Sequence, residues 1–138
     1  MPRKDAYHDT VKNMLVKDGW VITNDPYIVR RGRHSLFIDL AAEMPLTAEK
    51  AGRKIAIEIK SLSGTAEMPE FERALGQFLI YRSLLRRQAS DCTLFLAVSL
   101  AAYTEHFDTI EGRDLIADDQ IRLIVFRPET EEITQWIE

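Results

Sequence analysis

One cysteine, Cys92, stands in the 138 residues, so no disulfide forms within the chain and a reducing, cytoplasmic setting is expected. No apolar run is long enough to cross a bilayer, and the opening "MPRKDAYHDTVK" is charged where a secretory signal would be apolar, so no membrane partner is expected. Six glycines and five prolines are too few for a fibrous or low-complexity chain. Positive charge is not in excess either. Eighteen Lys and Arg against 22 Asp and Glu give a net charge of −4, which argues against a protein that holds nucleic acid by bulk charge. A metal-dependent nuclease survives that argument, because its cleft concentrates carboxylates while a cation and local basic patches attract the substrate.

What is present is globular in kind. With 46% hydrophobic residues the chain can build one continuous core, and no linker divides it, so residues 1–138 are expected to form a single domain. Tyr7, Val11, Met14 and Leu15 recur at helical spacing, and Gly19 ends that helix. "WVIT", the turn "NDP" and "YIVR" read as a hairpin leading to the turn-prone "RGRHS". "LFIDLAAE" is the next strand. After the linker "MPLTAEKAGR" comes "KIAIEIK", the clearest alternating stretch. A long helix follows from Pro69 to about Gln88, with Glu70 and Glu72 in its first turn. "TLFLAVS" is apolar throughout, as a central strand covered on both faces would be, and Cys92 at its start reads as a small core residue. One or two short helices, a strand, a Pro-containing turn and a terminal strand complete a mixed α/β pattern.

Parity singles out the fourth strand. Ile55, Ile57 and Ile59 share one face and Ala56, Glu58 and Lys60 the other. An isolated Glu-x-Lys is most simply a pair turned to water. Asp39 changes the weighing, since a carboxylate inside the apolar "LFIDLAA" needs a partner. If the two strands are neighbours, Asp39 stands beside Glu58, with Glu43 sharing its parity. Converging carboxylates repel unless protonated or joined by a divalent cation. The plainer alternative is an ion pair of Asp39 with Lys60 or an arginine. Two carboxylates with waters and a substrate phosphate suit Mg²⁺, or Mn²⁺ in its place, and hydrolytic phosphoryl transfer. Lys60 would then position the water and stabilise charge in the transition state. On the long helix Gln77 and Tyr81 share a face, and Arg73 continues the row. Gly76 inside that helix is unfavourable by about 1 kcal/mol and suggests close approach of helix to sheet.

Asp39, "EIK" at Glu58 to Lys60, and "QFLIY" at Gln77 to Tyr81 resemble the PD-(D/E)XK nuclease superfamily, in its branch with a Q-x-x-x-Y helix; Ile38 stands where the superfamily name has proline. More of the chain, in "KDAYHDTVKNMLVKDGWVITNDPY", "IDLAAE", "RKIAIEIKS" and "ALGQFLIYRSLL", is similar to the XisH family, known from cyanobacteria as a controlling factor for excision of the fdxN element during heterocyst differentiation. The resemblance implies a restriction-endonuclease-like mixed β-sheet flanked by helices. It also implies a role in programmed DNA rearrangement beside a site-specific recombinase, with the small protein XisI as partner. Carried over residue by residue, Asp39, Glu58 and the carbonyl of Ile59 would be metal ligands and Lys60 the catalytic lysine, with Gln77 and Tyr81 in support. His8 on the first helix would be a further metal ligand or a boundary histidine. Arg30, Arg31 and Arg33 in the turn, and Arg82, Arg86 and Arg87 on the long helix, are candidates for DNA contact, or solvated surface. One site cuts one strand, so coordinated duplex cleavage would call for a homodimer or two encounters.

Overall fold

The computed structural model describes residues 4–48, 52–62, 68–88 and 91–138. The expected linker before the fourth strand falls in part on residues 49–51, outside the described residues. Helix α1 (His8–Lys17) buries Val11, Met14 and Leu15, the stripe read from sequence. Its end is fixed by Gly19 at φ +97°, a backbone conformation that glycine adopts without steric cost. The Gly19 N–H donates to the Val16 carbonyl and the Trp20 N–H to that of Leu15, so two carbonyls of the last turn are satisfied.

The chain then departs from the expected hairpin. Strand β1 (Val21–Asn24) does not pair with β2 (Tyr27–Arg31). It pairs antiparallel with β4 (Leu40–Met44), setting Ile22 against Ala42 over the core layer beneath α1. Strand β2 pairs instead with β3 (His34–Ile38) in a separate two-stranded ribbon. The reason is local. Arg31 pairs with His34 across the two-residue turn Gly32–Arg33, and Gly32 takes φ +59° at the first turn position, as tight hairpins favour, whereas "NDP" serves to pass the chain from one sheet to the other. "LFIDLAAE" is likewise two strands, not one. It breaks at Asp39, whose carboxylate accepts the Ile59 N–H at 2.7 Å, so that backbone donor bonds a side chain where the strand pairing ends.

The main sheet runs β1-β4-β5-β6-β7-β8, with β5 (Arg53–Ile59), β6 (Cys92–Ser99), β7 (Leu123–Arg127) and β8 (Glu132–Ile137). The pairs β5-β6 and β6-β7 are parallel, and the antiparallel pairs β1-β4, β4-β5 and β7-β8 flank them, so the sheet is mixed. Helix α2 (Met68–Gln88) is the crossover between β5 and β6. Strand β6 is central as its composition implied: Phe95 and Ala97 enter the layer with α1, and Leu94, Leu96 and Val98 the layer with α2. That second layer also holds Val29 and Ile38 from the ribbon, and Leu115 and Ile116 from α4 (Ile110–Asp119) pack against it. Each fully buried Ile or Phe contributes about 1.5–3 kcal/mol through its removal from water.

Between β6 and α4 the weak helical signals resolve into a short α3 (Leu100–Ala102), a π-helical turn (Tyr103–Phe107) and α4 itself. Thr109 caps α4 by accepting the Gly112 N–H at 2.9 Å. Gly112 lies so close to the preceding turn that a Cβ would come within 2.3 Å of the Phe107 carbonyl oxygen. Among the described residues no helix is long and apolar enough to cross a membrane.

Candidate active site

Alternation on β5 does what its parity predicted. Ile55, Ile57 and Ile59 are buried toward α1, and Ala56 belongs to the opposite layer, the face on which Glu58 and Lys60 follow. Glu58 is 3% exposed, so the reading of Glu58 and Lys60 as a pair turned to water does not hold for the glutamate. Because Leu40 pairs with Ile57, Asp39 at the break before β4 falls beside Glu58. Burial pushes the Glu58 carboxyl up to about 10, and the adjacent Asp39 pushes the same way, with Lys60 opposing. At neutral pH, with no cation between them, Glu58 is therefore an acid holding its proton.

Helix α2 supplies the facing wall. Gln77 and Tyr81, one turn apart, point to the same side, and the Gln77 amide donates to the Tyr81 hydroxyl at 2.8 Å. Tyr81 is buried; burial first, then Glu58, raises its phenol, which stays protonated. Asp39, Glu58, Ile59, Lys60, Gln77 and Tyr81 line one pocket of about 240 Å³ together with Ser35, Leu36 and Phe37 of β3. It shares Lys60, Gln77 and Tyr81 with an open groove of about 730 Å³ bordered by Leu62, Arg73, Gly76 and Ile80. The close approach expected at Gly76 is absent: a Cβ there would meet nothing within 4 Å, because the glycine faces the groove, not the sheet.

Asp5 is a residue that sequence reasoning missed. It lines both parts of the cleft, accepting the Tyr7 N–H through Oδ1 and the Ser61 N–H through Oδ2, each at 2.9 Å. It thereby ties the start of α1 to the chain just after Lys60. "KDAYH" carries a helix-start signal, but nothing in it points to Ser61, 56 residues away.

Other candidates lie elsewhere. His8 is buried, with Nε2 2.7 Å from Asp25 Oδ1 and Nδ1 without a hydrogen-bond partner among the described residues, and it is not among the residues lining the cleft. Asp25 also accepts from Lys12 at 2.8 Å; burial alone would raise its carboxyl, but the hydrogen bonds from Lys12 and His8 together bring it below the usual range. Glu43 sits at the far end of β4 opposite Lys54, in a separate pocket with Cys92. Cys92 is half-buried and packs against the core layer with α2 without being part of it, and burial pushes its thiol up to about 11, which keeps it protonated at neutral pH. Arg82 is engaged: its guanidinium donates to the Asp119 and Gln120 carbonyls, at 2.9 and 2.7 Å, and closes the end of α4. Arg86 and Arg87 are exposed beside Leu79 and Ser83 on the outer side of α2. Arg30 and Arg33 are exposed on the ribbon, and Arg31, whose side chain lies outside the described residues, contributes its backbone to the last pair before the turn.

Among the described residues no group of three or more His, Cys, Asp and Glu side chains stands together, so a closed site of zinc type is not formed by them. The pair formed by half-buried Asp39 and buried Glu58 is a different case. A hard divalent cation that keeps most of its waters needs only such a pair.

Fold and site together define a mixed α/β protein in which a central strand delivers a buried carboxyl and a lysine to a cleft, beside a second carboxylate from the break before the neighbouring strand. The profile described as XisH protein matches residues 1–134, and the chain belongs to the XisH family. The crystal structure of an XisH family protein from Nostoc punctiforme PCC 73102 superposes with a TM-score of 0.83 at 41% identity, covering 97% of this chain and 100% of that one. A second crystal structure, of an fdxN element excision controlling factor protein from Anabaena variabilis, gives a TM-score of 0.85 at 39% identity over 98% of this chain and 100% of that one. No curated protein sequence matches the chain.

Proposed function

We propose that the chain is a divalent-cation-dependent DNA endonuclease of PD-(D/E)XK type, with a restriction-endonuclease-like fold, acting in the excision of a DNA element. The observation that carries the reading is the convergence of Asp39, Glu58 and Lys60 in one cleft with Gln77 and Tyr81. The relative from Anabaena variabilis, an fdxN element excision controlling factor protein, supplies the biological setting. In that setting the cleavage works beside a site-specific recombinase and an XisI-type partner.

The residues fit Mg²⁺ or Mn²⁺. Two carboxyls side by side, one buried and forced to keep its proton, form an arrangement that a cation relieves by making both charged forms favourable. Asp39, Glu58 and the carbonyl of Ile59 would hold it. When bound, it supplies Lewis acidity at the phosphate and acidifies water. Lys60 holds the attacking water by hydrogen bonding and balances the negative charge that grows on the phosphoryl oxygens. One P–O bond forms to the water oxygen and one P–O ester bond breaks. The departing oxygen takes a proton, and the proton lost by the water passes to solvent. Gln77 and Tyr81 brace the wall against which the phosphate lies, and Asp5 fixes the chain after Lys60.

The test is supercoiled plasmid incubated with the protein in Mg²⁺, Mn²⁺ or chelator, alone and with XisI. Metal-dependent nicking that disappears in Glu58→Ala and Lys60→Ala is the expected result. Nicking that persists in Glu58→Ala would remove the assignment. A second reading, a catalytically silent nuclease-fold protein that binds DNA or XisI, draws on the burial of Glu58, which suits a carboxyl kept neutral for structural reasons. Under it, calorimetry finds no Mg²⁺ or Mn²⁺ binding that depends on Asp39 and Glu58, and folded protein nicks nothing.

A further inference from the structure

The β2-β3 ribbon is the one part of the described structure that stands outside the main sheet as a sheet of its own, and its two faces differ. By register, Tyr27, Val29, Leu36 and Ile38 share the inner face; Val29 and Ile38 are buried in the core layer with α2, and Tyr27 and Leu36 pack against it. The outer face pairs Ile28 with Phe37 and Arg30 with Ser35. Ile28 is 44% exposed, and Arg30 and Ser35 are exposed. Arg30, and Arg33 in the turn, make no hydrogen bond or ion pair with the described residues.

Charge separates this element from the rest. Tyr27 to Ile38 contains three arginines and no carboxylate, in a chain of net charge −4 whose remaining residues therefore stand at −7. A +3 segment on an acidic protein is a local attractor for a polyanion, which bulk composition conceals. Position adds to charge. Ser35, Leu36 and Phe37 form part of the wall of the pocket that holds Asp39 and Glu58, and the ribbon leads away from that pocket to the turn. Asp39 lies six positions after Arg33, about 20 Å of extended strand, the rise of roughly six base pairs. A two-stranded ribbon also has the cross-section that the major groove of a duplex admits.

We infer that the β2-β3 ribbon is a duplex-binding arm that lies along a DNA groove, with Arg30 and Arg33 on phosphates several base pairs from the scissile bond. This rests on the nuclease reading above and adds to it a substrate class: double-stranded DNA, engaged on one side of the cut. Single-stranded DNA offers no groove to the ribbon and binds less tightly.

The experiment separates the arm from the reading it rests on. Glu58→Ala protein, in chelator so that nothing is cut, is titrated by fluorescence anisotropy with a labelled duplex of about 20 base pairs, and with one of its strands, over a salt series. Arg30→Gln/Arg33→Gln in that background is expected to weaken duplex binding about tenfold or more and to flatten the slope of log affinity against log salt by about 2. Arg30→Lys/Arg33→Lys should restore most of the slope. Both variants should keep the parental melting temperature, since neither side chain has a partner among the described residues to lose. Duplex binding by the Glu58→Ala protein that is unchanged by Arg30→Gln/Arg33→Gln overturns the arm and leaves the nuclease reading standing. Tighter binding of the single strand overturns the choice of duplex. No binding of either DNA by the Glu58→Ala protein overturns the reading and the arm together.

Discussion

Replacing Glu58 by Gln tests the electrostatics of the cleft without any assay of cleavage. The side chain is 3% exposed, and burial together with Asp39 lifts its carboxyl from 4.5 to about 10. Its folded value lies above its unfolded one, so the folded state holds a proton that the unfolded state gives up. Stability from this group is whole below the unfolded pKa and is lost as pH rises toward the folded one. A full proton difference amounts to about 1.4 kcal/mol per pH unit, so between about pH 6 and about pH 8 the parent loses on the order of 3 kcal/mol at most relative to Glu58→Gln. For a chain of this size that is a relative fall in melting temperature of roughly 8 °C. Thermal melts of both proteins across that range, in chelator, read the difference directly, and groups that titrate elsewhere cancel in the comparison. In saturating Mg²⁺ the charged carboxylate is the bound form, so the parent's downward slope should flatten or reverse while the variant's stays put. Parallel pH profiles for the two proteins in chelator would refute the burial argument. A parent slope indifferent to Mg²⁺ would refute the cation between Asp39 and Glu58.

Gly76→Ala should stabilise the protein by about 0.5–1 kcal/mol, read as a higher denaturation midpoint, because the added methyl enters open space and removes backbone freedom from the unfolded chain. Gly112→Ala should do the opposite, by about 1–3 kcal/mol in the same measurement, since its Cβ meets the Phe107 carbonyl oxygen at 2.3 Å. Asp39→Ala leaves the Ile59 N–H without its acceptor, a loss of about 1–3 kcal/mol that is partly offset as repulsion at Glu58 disappears; amide hydrogen exchange at Ile59 should speed up. Tyr81→Phe removes the acceptor of the Gln77 amide and should cost about 0.5–1.5 kcal/mol by chemical denaturation.

The convergence of the candidate site residues is legible in the sequence because three of its signals are local. Period two on β5 puts Glu58 and Lys60 on one face whatever the sheet does. A four-residue step on α2 puts Tyr81 one turn above Gln77. Asp39 announces itself as a carboxylate in an apolar run. The errors came where tertiary pairing overrode local pattern. "WVIT" and "YIVR" look like partners because a short turn joins them, yet Ile22 finds its apolar neighbour at Ala42, and the glycine that closes a tight turn is Gly32, one strand later. From sequence Gly76 reads as a packing glycine, because most helix-interior glycines need a reason within the fold. Here its Cβ position faces the groove, so the reason has to be sought in what enters the cleft. Asp5 was invisible for a stricter cause: its role depends on the backbone of Ser61, and no side-chain pattern records a bond to a backbone amide.

The break at Asp39 joins fold and site. Had "LFIDLAAE" run on as one strand, the β2-β3 ribbon would have been held in the main sheet. Ending the β4-β5 pairing at Leu40 instead frees β3 to pair with β2 and leaves the Ile59 N–H for the Asp39 carboxylate. One residue thus terminates a strand, releases the basic ribbon beside the cleft and sets a carboxylate against Glu58. An Asp39→Asn variant keeps a side-chain acceptor for Ile59 while removing the charge. Its fold should survive, with the Glu58 carboxyl titrating lower than in the parent, and any metal-dependent nicking should be lost. Nicking retained at the parental rate would show that Asp39 serves the break alone.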